Sequence, residues 1–147
     1  MTTTAPLPTC AHGALPVFIP NCLQGETLTC IRKLLKELEY YKGHADNGRE
    51  ISREQVWFHE ELRYFCEAWT ERYPRWMAHE YPAILTQVQT DVITAANSAG
   101  ISGHTSNSCL INKYNDGTQF IPAHRDNSYS FGKKPIIYGL SFGATRT

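Results

Sequence analysis

Apolar residues recur at helical spacing in two parts of the chain. Leu28, Ile31, Leu34, Leu35 and Leu38 return every three or four positions, with Lys33, Lys36, Glu37 and Glu39 mostly on the opposite side. This pattern predicts a helix from a cap at Asn21 to about Tyr41, stopped by Gly43. Ile84, Leu85, Val88, Val92, Ile93 and Ala96 repeat the pattern. Pro82 suits the first turn of this second helix, and Asn97–Gly100 ends it. From Ser108 the period shortens to that of strands, and Pro135 to Phe142 reads as a further strand. Val17 to Pro20 reads as a short edge strand. Two helices followed by strands predict an α+β domain whose helices support an antiparallel sheet.

The remaining stretches are less regular. Met1 to Pro16 is small, polar and Pro-containing, a loose lead-in to one domain over 17–147. Helices and lid fill about 21–107, and the β-core starts at about 108. His44 to Glu50 is a polar loop. Glu60 to Ala78 mixes aromatic and charged residues around Pro74 and reads equally as helix or irregular lid. His59 and His79 have no partner at ligand spacing and read as ordinary polar histidines, and His104 reads as a loop residue.

Composition narrows the class. A hydrophobic fraction of 41% and 12% aromatic residues argue for a packed core rather than disorder. Fourteen basic and fourteen acidic side chains cancel, so no net positive field draws the whole chain to nucleic acid. Arg49, Arg53, Arg63, Arg72 and Arg75 are candidates for a local basic patch, and the simpler reading of them is solvated surface. Five scattered cysteines without a C-x-x-C indicate neither a zinc knuckle nor disulfide partners. Reduced thiols and the absence of a secretory pattern in MTTTAPLPTC predict an intracellular protein, cytoplasmic or nuclear. No apolar run approaches a membrane span, so no membrane partner is expected.

Candidate chemistry lies between Leu110 and Arg146. His124 and Asp126 stand two residues apart, and on an extended strand such residues point to the same side. Together they would be two thirds of a 2-His-1-carboxylate triad for Fe(II). Alone, the triplet reads more simply as surface polar residues. Ten residues upstream Asn112 and Tyr114 share the same spacing, and Asn115-Asp116-Gly117 then makes a tight turn. Ser141-x-Gly143-Ala144-Thr145-Arg146 closes the stretch.

In this order N-x-Y, D-G, H-x-D and S-x-G-A-T-R resemble the AlkB-like family of Fe(II)- and 2-oxoglutarate-dependent dioxygenases. The resemblance covers about the last 95 residues from near Ser52, and more weakly extends back to about Leu15. It implies a double-stranded β-helix of jelly-roll type, incomplete here, with two supporting N-terminal helices. It implies oxidative demethylation, with methylated DNA or RNA as the expected partner. His124 and Asp126 resemble iron ligands, and Asn112 and Tyr114 resemble the residues that hydrogen-bond 2-oxoglutarate. Arg53, Trp57 and Phe58 lie where the family has a basic residue, a Gln and aromatics in a lid over the substrate. An aromatic pair is also a common core element.

The chain departs from the family pattern after Asp126. Its last 21 residues hold no His, Asp or Glu, so the second iron His and the 2-oxoglutarate Arg have no counterpart. Arg146 belongs to the A-T-R segment. Asn127 and Ser128 stand where the family often has another acidic residue. The expectation is a truncated dioxygenase chain without turnover of its own. Two alternatives stay open: a catalytically dead relative acting as a binding or regulatory module, and an unrelated α+β domain with a chance H-x-D.

Overall fold

The structure, a computed structural model, describes residues 16–45, 47–101, 103, 105–124, 126 and 136–144. Most of the lead-in, His104, Arg125, Asn127, Ser128, Pro135, Thr145 and Arg146 lie outside them.

Helix α1 spans Gly25–Glu37. It starts later than the sequence pattern suggests, because Asn21 sits in a turn with φ of 54° and Gln24 takes the cap position. It ends at Leu38, before Gly43. Helix α2 spans Ala83–Ser98, with Leu85, Val88, Val92 and Ala96 buried as the spacing predicts. Its end is a glycine stop. Gly100, at φ +85°, donates to the Asn97 carbonyl, and Ile101 donates to that of Ala96.

Three antiparallel strands form the sheet in the order β1 (Tyr41–His44), β2 (Glu50–His59), β3 (Ser108–Lys113). The sequence pattern misses β1 and β2, placing a helix end, a polar loop and a lid there. The hairpin between them closes through Ala45 donating to Arg49 at 2.8 Å, and the Lys42–Glu50 ion pair joins its two strands. Gly43 lies inside β1, where a Cβ would come within 2.3 Å of the Arg75 side chain. The close approach of Arg75 therefore explains this glycine, and a helix stop does not. Val17–Pro20 forms no strand, and neither do the described residues between Ile136 and Phe142.

Alternation along β2 gives the sheet two covered faces. Val56 and Phe58, with Cys109 and Ile111 of β3, pack on Ile31 of α1 and on Leu85, Val88 and Val92 of α2. Trp57 and Leu110 point the other way, into an aromatic cluster with Trp76, Tyr64, Phe65, Trp69 and Tyr73. Phe65 stacks on Trp76 at 4.4 Å and meets the Trp57 edge at 4.9 Å. The ambiguous 60–78 stretch supplies this second core through two 3-10 turns, Glu67–Trp69 and Pro74–Trp76. It is neither a long helix nor an open lid.

Candidate metal and oxo-acid site

The candidate site starts on the aromatic side of the sheet. Gln55 pairs with Asn112 and Trp57 with Leu110, so Arg53, Gln55 and Asn112 share a face. The Arg53 Nε donates to the Asn112 side-chain oxygen at 2.8 Å. Burial pulls the Arg53 pKa down and the neighbouring Tyr114 hydroxyl acts the other way, placing Tyr114 in the same electrostatic neighbourhood. The guanidinium stays charged regardless.

Beyond Tyr114 the chain turns on Asp116. Its carboxylate accepts from the Thr118 N–H at 2.7 Å and from the Thr118 hydroxyl at 2.6 Å. The returning segment is tied to β2, because the Ser52 hydroxyl donates to the Phe120 carbonyl at 2.7 Å. Arg49, Ser52, Arg53, Phe120 and Pro122 then line a cleft of about 260 Å³. His124 follows two residues on.

His124 and Asp126 do meet, with Nε2 3.2 Å from Oδ1, although neither lies in a strand. Their approach therefore does not come from strand alternation. The His124 Nδ1 lies 2.9 Å from the Pro122 carbonyl, a partner that can only accept. With Nδ1 directed at that carbonyl, Nε2 is the ring nitrogen that faces the carboxylate. Nε2 and Oδ1 at this separation can share a proton, as in a plain His–Asp pair, or a metal cation. Donors at right angles on one first-row metal also stand about 3 Å apart. The separation suits two ligands of one metal and an ordinary His–Asp pair alike. The carbonyl contact that orients the ring is the outer-shell support such a ligand requires. Both side chains are partly exposed, and among the described residues no three His, Cys, Asp or Glu side chains gather.

Residues 15–147 match the model of the 2OG-Fe(II) oxygenase superfamily. The chain belongs to this superfamily, and within it is AlkB-like. It is 50% identical over 46 residues to the alpha-ketoglutarate-dependent dioxygenase alkB homolog 3 of Rattus norvegicus, covering 31% of this chain and 16% of that protein. The human alkB homolog 3 gives the same figures. The human DNA oxidative demethylase ALKBH2 is 42% identical over 48 residues, covering 33% of this chain and 18% of its own length. The aligned stretch is thus under a fifth of each relative. The superfamily implies use of Fe(II) and 2-oxoglutarate.

The other residues singled out from the sequence take different places in this oxygenase chain. Phe58 is 4% exposed in the helix-side core, and Trp57 is 5% exposed with its indole N–H donated to the Arg63 carbonyl. Both rings are thus packed into the two cores. His59 accepts from the Glu61 N–H, and His79 stacks on Tyr41. Gln55 went unnoticed as a candidate. It is 1% exposed, and neither end of its amide has a hydrogen-bond partner. The available signal was one polar residue opening the apolar run Val56–Phe58. No helix among the described residues is long and apolar enough to cross a membrane.

Proposed function

We propose that this chain carries the iron- and oxo-acid-binding part of an AlkB-type dioxygenase that oxidatively demethylates alkylated bases in nucleic acid. Within that reading His124 and Asp126 hold Fe(II), and Asn112 and Tyr114 hold 2-oxoglutarate. The three-stranded sheet is the beginning of a double-stranded β-helix. Bound iron with 2-oxoglutarate and O2 supplies the oxidising power. The residues do the rest. The Pro122 carbonyl keeps the His124 ring turned so that Nε2 faces the metal position. The Asn112 amide and Tyr114 hydroxyl donate hydrogen bonds to the co-substrate, beside the positive charge of Arg53.

The facing of His124 Nε2 and Asp126 Oδ1 at 3.2 Å carries the proposal. The names of the similar proteins, a dioxygenase and a DNA oxidative demethylase, support a methylated nucleic acid as substrate. Calorimetric titration of 2-oxoglutarate into the Mn(II)-loaded chain tests the co-substrate seat. Weaker binding by both Asn112→Ala and Tyr114→Phe supports it, and unchanged binding contradicts it.

A further inference from the structure

We infer that Arg53 is a positioning residue that locks the Asn112 amide with its NH2 end toward an incoming carboxylate. The inference rests on the proposed co-substrate seat and adds to it the residue that orients that seat. Arg53 and Asn112 are 59 positions apart in sequence and project from one face of adjacent strands. The Arg53 Nε takes the Asn112 side-chain oxygen at 2.8 Å. An amide whose oxygen is held by a guanidinium can offer only its two N–H donors elsewhere. Turned the other way, the same amide would present an acceptor to the anion and repel it.

The contact is built to hold. It is half-buried, charge-assisted and directed by the planar guanidinium, which a lysine cannot imitate. The register partner of Asn112, Gln55, offers no competing bond, since both ends of its buried amide are unpaired. Arg53 also lines the cleft that Phe120 and Pro122 border. An oxo-acid there gains an oriented donor and a nearby positive charge.

The test uses the purified chain, with Mn(II) and 2-oxoglutarate as probes and the Asn112 side-chain NH2 pair observed by NMR. Arg53→Lys keeps the charge and removes the planar donor. It should weaken 2-oxoglutarate binding about tenfold. It should also shift the Asn112 NH2 signals before any ligand is added, and Arg53→Gln should shift them likewise. Asn112→Asp keeps an acceptor for Arg53 but deletes the donors. On that background Arg53→Lys should change affinity about twofold at most. Equal losses in both backgrounds would mean that Arg53 meets the ligand itself, and the inference would fall. Unaltered Asn112 signals in both Arg53 variants would overturn it too. A parent chain that binds no 2-oxoglutarate would sink the proposed function and the inference with it. That failure is distinguishable, because the Asn112 signals would then ignore the ligand yet still respond to Arg53.

Discussion

Trp57 and Phe58 are consecutive residues that lie in different cores on opposite faces of one strand. Both are buried by structure that the chain needs in order to fold. Phe58→Ala should cost about 3–5 kcal/mol of stability, as large-to-small changes of buried aromatics do. Trp57→Phe fills most of the same space but leaves the Arg63 carbonyl without its donor, and should cost about 1 kcal/mol. Denaturant unfolding measures both. A Phe58→Ala chain as stable as the parent would restore the ring as a candidate for substrate contact.

Stability should decline in alkali. Burial pushes the Cys109 thiol from its ordinary 9.0 up to about 11, and raises the Tyr81 and Tyr40 phenols. Between those thiol values the native chain holds a proton that the unfolded chain has lost. The unfolded state therefore binds fewer protons, and stability falls as pH rises through that window. Below about pH 8 these groups contribute no slope. Thermal melting across pH 7–11 checks this, and Cys109→Ala should flatten the early part of the decline.

Gly100 isolates a backbone effect. A Cβ there would meet nothing within 4 Å, yet its φ is +85°. Gly100→Ala should therefore cost roughly 1–2 kcal/mol through conformation alone. The melting temperature reports it. No loss would mean that the stop after α2 relaxes without cost.

The 147-residue chain assayed by itself should release no succinate from 2-oxoglutarate above background. In the proposed site His124 and Asp126 would supply two of the three ligands of the triad, and both are partly open to solvent. Succinate formation that requires Fe(II) and vanishes in His124→Ala would contradict this.

How far the sequence could be read follows from burial. Helix α2 is covered along one stripe, so its period survives in the residues. Strand β2 is buried from Gln55 through His59, on both faces, so alternation is erased there. Strand β1 is four residues long and carries Lys42 and Gly43, poor strand formers. Residues 112, 114, 124 and 126 stood out by spacing and resemblance. The contact of Arg53 with Asn112 could not, because it depends on the register of strands far apart in sequence.

Mn(II) binding followed by electron paramagnetic resonance in the parent, His124→Ala and Asp126→Ala chains tests the central claim most directly. The account predicts weak binding by the parent and a loss of about tenfold or more in each variant. Identical binding by all three chains would show that these two side chains do not hold a metal, and would remove the basis of the oxygenase site.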